Sequence, residues 1–246
     1  MKKTLVSLFS VAILGSLTVT SLTVSADDGG QYDSNGIITF IPNTDPTDPV
    51  DPLDPSNPIT PVDPTNPDGP NPGTNGPLSI DYASSLSFGE QKITSKTETY
   101  YADSQKYKDA SGNTLEGPNF VQVSDNRGTE SGWTLKVKQN GQFQTAEAQV
   151  LTGAKVTFSN GNIVTASQSA KPSNVSTTMT LDPSGAESTV MGAKVSEGAG
   201  TYLMDWGNSV DTAKNSIALE VPGSTTKYAK SYSTTFTWVL TDAPAN

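Results

Sequence analysis

Two short runs carry most of the chemical character of this chain: Gly132-Trp133-Thr134-Leu135-Lys136-Val137-Lys138 and Phe236-Thr237-Trp238-Val239-Leu240. Each holds a Trp-x-Leu triplet. Trp133, Leu135 and Val137 alternate with Lys136 and Lys138, and Phe236, Trp238 and Leu240 alternate with Thr237 and Val239, the pattern of half-buried strands. Large residues at every second position either pack a core or present an aromatic platform on which sugars stack. The remaining candidates are scattered acids: Asp125, Glu130, Asp205 and Asp211. Paired carboxylates are the basis of glycoside hydrolysis, but these four show no motif. Asp125-Asn126-Arg127-Gly128 and Asp205-Trp206-Gly207 read as turns, the first with an Asp–Arg pair. Asp109-Ala110-Ser111-Gly112-Asn113 lacks the alternating acids of a calcium loop.

The chain contains no Cys and no His among its 246 residues. That removes disulfides, thiolate and imidazole metal sites, Cys nucleophiles and Ser-His-Asp triads. A non-enzymatic protein without cofactor or metal is the expectation. The formal charge of −10 also argues against nucleic acid as a partner, since phosphate affinity rests on Lys and Arg.

That charge is localised. Residues 27–91 carry eleven acids and no Lys or Arg, whereas residues 92–246 carry 14 acids and 13 bases. The acidity therefore belongs to one segment, and the remainder is close to neutral.

The elements that must position the two aromatic runs follow from composition breaks. Residues 1–26 read as a signal peptide: Lys2 and Lys3, an uncharged run from Leu5 to Val24, and a small-residue end at Val24-Ser25-Ala26. An uncleaved anchor is the alternative, because the run approaches bilayer length. Its eight Ser, Thr or Gly residues favour cleavage, which would leave no transmembrane anchor. Residues 27–41 hold Asn35-Gly36 followed by Ile37-Ile38-Thr39-Phe40-Ile41, a turn and one strand; a single strand is not stable alone, so it is either disordered or, the favoured reading, joins the following sheet. Residues 42–77 form a Pro/Asp-rich spacer, with proline at every third position from Pro46 to Pro70. A polyproline II strip of that length reaches about 75 Å, and an extended strip cannot wrap a calcium ion.

Residues 78–246 show no helical period. Strands are expected at 78–82, 91–94, 119–124, 132–138, 154–158, 175–181, 189–195, 216–221 and 228–240, separated by turn signals such as Ser111-Gly112-Asn113, Asn140-Gly141 and Asn160-Gly161. Many short strands at this spacing predict an all-β fold, here a single β-sandwich-like domain.

Several motifs together resemble one family. The two Trp-x-Leu triplets lie about a hundred residues apart. The first follows Val123-Ser124-Asp125-Asn126-Arg127-Gly128-Thr129, and the second precedes Thr241-Asp242-Ala243-Pro244. With Gly76-Pro77-Leu78-Ser79-Ile80-Asp81-Tyr82, Phe88-Gly89 and Val221-Pro222-Gly223, the chain resembles the WxL-domain surface proteins of Gram-positive bacteria, as does the order of signal, spacer and terminal domain. The resemblance implies secretion, a place at the cell surface and non-covalent attachment to the cell wall, with peptidoglycan as ligand. Proteins of this family are similar to members of multi-protein surface assemblies with a membrane-anchored, WxL-interacting partner. The alternative expectation is therefore a subunit of such a complex with an adhesive role toward host matrix or polysaccharide. Trp133, Leu135, Trp238 and Leu240 are the motif residues that it implicates in wall binding. The residues after Trp238 contain no sorting signal, so retention is expected to be non-covalent or partner-mediated.

Overall fold

Period-two alternation, β-branched residues and frequent Gly and Asn turns produce short strands here, as they should. The computed structural model describes residues 30–246, which divide into two units, one ending at Thr39 and one spanning Phe40–Asn246. The first unit's described residues carry no strand and are exposed. Ile37 and Ile38 are 97% and 76% exposed, and Phe40 and Ile41 at the start of the second unit are exposed too. The strand expected over 36–41 is therefore absent. The signal segment, residues 1–26, lies outside the described residues, and among those described no helix is long and apolar enough to cross a membrane.

The second unit is built from seventeen strands and a single helical turn. In chain order these are β1 (Val50–Asp51), β2 (Asp54–Pro58), β3 (Thr60–Pro61), β4 (Leu78–Ala83), β5 (Glu98–Tyr101), β6 (Gln105–Lys108), β7 (Thr114–Gly117), β8 (Asn119–Asp125) and β9 (Trp133–Gln139). There follow β10 (Lys155–Phe158), β11 (Gly161–Val164), β12 (Asn174–Val175), β13 (Met179–Thr180), β14 (Ser188–Ala193), β15 (Gly200–Trp206), α1 (Val210–Ala213), β16 (Ile217–Val221) and β17 (Phe236–Thr241).

All pairings are antiparallel and fall into five sheets. Three have four strands, in the orders β13-β10-β16-β5, β11-β15-β8-β4 and β12-β14-β9-β17; β3-β6-β7 and the β1-β2 hairpin are smaller. The small sheets are arranged like the blades of a four-bladed propeller. The all-β class is as expected, but two facing sheets are not what the pairings give. The reason lies in the core. Val121, Val123 and Trp206 from the β8–β15 sheet, Trp133 and Leu135 from the β9–β14 sheet, and Val156, Phe158 and Ile217 from the β10–β16 sheet all pack into one cluster. Three short sheets sharing one core each bury an inner face that a sandwich would pair off two by two.

The β8–β15 sheet is buried on both faces. Every residue of β8 is buried. Its second face meets a smaller cluster of Ile59, Tyr82, Tyr107, Phe120 and Leu203. Ile59 comes from the proline-rich segment, which is thus no free spacer over its length. Val50 N–H donates to Gln122 Oε1 at 2.8 Å, and Gln122 Nε2 donates back to the Asp48 carbonyl at 3.0 Å. Thr60 and Pro61 pair with Lys108 and Tyr107, and Thr74 N–H donates to the Ile80 carbonyl at 2.8 Å. An extended polyproline strip cannot satisfy or bury these groups, whereas a docked one gains both the apolar contact of Ile59 and several hydrogen bonds. The β domain accordingly incorporates residues well before 78.

Candidate functional site

The two Trp-x-Leu runs become neighbouring strands. β9 carries the first and β17 the second, paired so that Leu135 faces Leu240, Val137 faces Trp238 and Thr134 faces Thr241. Residues a hundred positions apart in sequence thus share one sheet.

Their inner side is core. Trp133 and Leu135 are fully buried. Trp133 Nε1 donates to the Gly198 carbonyl at 3.0 Å, which satisfies the one polar atom of the side chain. Its ring lies 6.4 Å from that of Tyr202. Gly198 has φ +77°, and a Cβ there would stand 2.7 Å from Trp133 Nε1, so only glycine fits against the indole. Trp238 and Leu240 are half-buried at the rim of the same core. The Trp238 ring lies 5.9 Å from that of Trp206, which in turn contacts Phe158 at 4.7 Å. The four motif residues therefore differ in access: Trp133 and Leu135 are sealed in, and Trp238 and Leu240 are partly open.

The outer side presents Thr134, Lys136 and Lys138 from β9 beside Thr237, Val239 and Thr241 from β17, all half-buried or exposed. Lys136 pairs with Glu187 at 3.1 Å. Asn140 Nδ2 donates to Thr235 Oγ1 and Thr237 Oγ1 at 3.0 and 2.8 Å, ordering the start of β17. This face offers hydroxyls and ammonium groups on two paired strands backed by the buried Trp133 and Leu135. The C-terminal residues strap its end: Thr134 Oγ1 donates to the Ala243 carbonyl at 2.9 Å, and Ala245 N–H to the Ala193 carbonyl at 2.9 Å. Gly132, at φ +79°, lies beneath that strap, where a Cβ would sit 2.8 Å from Pro244 Cβ.

β17 is the last strand of its sheet. Asn140 N–H donates to the Thr235 carbonyl, so alternation turns the backbone groups of Thr237 and Val239 toward β9. Those of Phe236, Trp238 and Leu240 face outward, along the open edge.

Three of the four scattered acids find separate local partners. Asp125 holds Arg127 in a bidentate pair at 2.9 and 2.8 Å, and Arg127 also reaches the Gly132 carbonyl at 2.8 Å. The hydrogen bonds and charge of Asp125 raise the Arg127 guanidinium above its usual range. The pair therefore ties the loop between β8 and β9 to the start of the first motif. Glu130 accepts from Ser169 Oγ at 2.7 Å, and Asp211 lies exposed in α1, 3.8 Å from Lys214. Asp205-Trp206 is no turn. Both residues end β15 and are buried, and both Asp205 carboxyl oxygens lack a hydrogen-bond partner. Burial pushes the Asp205 carboxyl well above the usual carboxylate range, helped by the nearby Asp51 charge. Among the described residues, no group of three or more Asp or Glu side chains could hold a metal ion.

The sequence reading missed the outer threonine and lysine face as a unit, because its two strands are not adjacent in the chain. It also missed Trp206, whose strand β15 lacks alternation. The shared Trp-x-Leu triplet marked the two runs as related but carried no sign that β9 and β17 would pair.

No curated protein and no solved structure matches the chain. The model of a family described as "WxL domain surface cell wall-binding" matches residues 27–244, nearly its whole length, so this protein belongs to the WxL family, a family of cell-wall-binding domains at the cell surface rather than of enzymes.

Proposed function

We propose that this protein is a secreted, non-catalytic surface protein that binds peptidoglycan non-covalently through the outer face of β9 and β17. The observation that carries the reading is the division of labour within the motif sheet. Trp133 and Leu135 are buried and make the sheet rigid. Thr134, Lys136, Lys138, Thr237 and Thr241 stand on the opposite side. Hydroxyls exchange hydrogen bonds with glycan hydroxyl and amide groups, and lysines match the carboxylates of stem peptides. Trp238 and Leu240, half-buried beside the open edge of β17, add apolar contact where a glycan strand wraps round that edge. In this reading Trp133, Leu135, Trp238 and Leu240 are the wall-binding motif, the first pair through support and the second partly through contact.

Sedimentation of the purified protein with peptidoglycan sacculi tests this. Replacing Lys136 and Lys138 by Ala should leave the fold intact and lower the bound fraction several-fold. Unchanged sedimentation in that variant would exclude the face.

A second reading is that the protein is a subunit of an adhesive surface complex, bound to a membrane-anchored partner. The open edge of β17 supports it, because the outward backbone groups of Phe236, Trp238 and Leu240 suit addition of a partner's strand. Failure to sediment with bare sacculi, combined with capture by the membrane-anchored partner, would select this reading.

A further inference from the structure

The proline-rich segment lies over a sheet face that buries two acids. On that face, Asp205 of β15 is completely buried with neither carboxyl oxygen hydrogen-bonded. Asp81 of β4 is 6% exposed and accepts from Ser79 Oγ, Ser124 Oγ and Gln122 Nε2 at 2.6, 2.6 and 2.9 Å. The same Gln122 is the anchor for Asp48 and Val50. Asp51 accepts from Tyr107 Oη at 2.9 Å, and Ile59 fills the cluster with Tyr82, Tyr107, Phe120 and Leu203. The segment thus seals an acidic, half-aromatic face with a strip that itself carries Asp48, Asp51 and Asp54.

We propose that residues 48–62 form a releasable clasp over this face, closed in acid and opened as the pH rises, with Asp205 as the principal switch and Asp81 as its second. The groups whose charge couples to Asp205 are Asp51, from the β1–β2 hairpin, and Tyr107, from β6, and neither is a cation. An ionised Asp205 under the clasp would therefore have neither solvent nor a counter-charge, and the repulsion from Asp51 adds to the penalty. Asp81 differs in degree: its three hydrogen bonds favour the charged form, yet burial outweighs them and raises its carboxyl above the usual range.

The sign follows by linkage. A carboxyl raised in the closed state is neutral in both states at pH below its ordinary value. Above that value the open state ionises first, so clasp closure weakens progressively until the closed form also ionises. For one carboxyl the open-to-closed ratio rises by up to about tenfold per pH unit across that window. Opening frees residues 48–62 to extend as an acidic strip reaching about 45 Å, and uncovers Phe120, Gln122 and Tyr82. The extended spacer that the composition suggests and the docked segment of the structure are then two states of one element.

The absence of native cysteine allows a clean test. Spin labels at Asn57→Cys and Lys108→Cys, both exposed, report on the clasp and on the strand that pairs with Thr60. Pulsed electron resonance on the full chain should show a short distance at pH 4 and a growing long-distance population toward pH 8. Asp205→Asn should flatten most of that rise, and adding Asp81→Asn should flatten the rest. A wild-type distance distribution that is constant over this range would overturn the proposal. So would an unchanged pH response in the folded double variant. If the double variant does not fold, Asp51→Asn decides. Removing that charge should reduce the total rise, and an unaltered rise in Asp51→Asn would equally refute the switch.

Discussion

Replacing Trp133 by Phe separates a buried frame from a contact surface. Trp133 is completely buried, and its Nε1–H satisfies the Gly198 carbonyl at 3.0 Å. Phenylalanine keeps one ring but leaves that carbonyl without its donor, at about 1–3 kcal/mol. The missing second ring leaves a cavity against Tyr202 and Ala193, and full truncation of a buried Trp costs about 3–5 kcal/mol. The expected loss for Trp133→Phe is thus about 2–4 kcal/mol, a large share of the roughly 5–15 kcal/mol that holds a domain together. Urea unfolding followed by circular dichroism should show the midpoint falling by about 1–2 M. Binding to sacculi, measured well below the new midpoint, should be retained, because the contact surface is on the other side of β9. Trp238→Phe should behave in the opposite order. Its ring is half-exposed at the rim, so stability should fall by less than in Trp133→Phe while binding weakens more. A Trp133→Phe protein of undiminished stability that no longer binds would refute the assignment of Trp133 to the frame.

Gly198→Ala should mimic Trp133→Phe without touching the tryptophan. It places a Cβ 2.7 Å from the indole nitrogen at φ +77°, and about 1–3 kcal/mol should be lost in the same urea experiment. Arg127→Ala strands the buried Asp125 carboxylate and should cost about 3–5 kcal/mol, seen as a lower thermal midpoint. Asp205→Asn should raise stability at neutral pH and reduce its decline with pH. The raised carboxyl makes folding least penalised in acid, and the penalty grows as the pH climbs above the ordinary carboxylate range. Denaturation midpoints at pH 4.5 and 7.5 for both proteins would check the sign.

The sequence made the half-buried strands plain and hid the others. β9 alternates buried and half-buried residues without a break, and its limits are almost those expected from Trp133, Leu135 and Val137. β15, Gly200-Thr201-Tyr202-Leu203-Met204-Asp205-Trp206, was invisible because both of its faces are covered, one by the main core and one by the cluster around Ile59. The expected strand at 91–94 is instead irregular, and β5 begins at Glu98. The span 228–240 yields a strand only from Phe236, since Tyr228 N–H donates to the Tyr232 hydroxyl and folds the chain back on itself. For the site, spacing identified the two motifs, but not that they would pair. Nothing local in Trp133-Thr134-Leu135 records a partner 105 residues away. The proline segment misled for a related reason. A three-residue repeat describes an extended strip equally well whether it is in solvent or on a surface, and what decides between them is Gln122 and Tyr107, far off in the chain.

The pairing of β17 with β9 also sets an order of events. Closing a sheet between residues so far apart costs the closure entropy of a loop of about a hundred residues, roughly 4 kcal/mol, before the pairing contributes anything, which makes such a topology slow to form. Until Phe236–Thr241 arrives, the β9 residues Thr134, Lys136 and Lys138 have backbone groups with no neighbour on that side. A chain halted before Phe236 would expose an unpaired, apolar-backed edge, the template on which aggregates grow. The second Trp-x-Leu is thus also the piece that caps the nascent sheet, and a truncation there would be read first as insolubility.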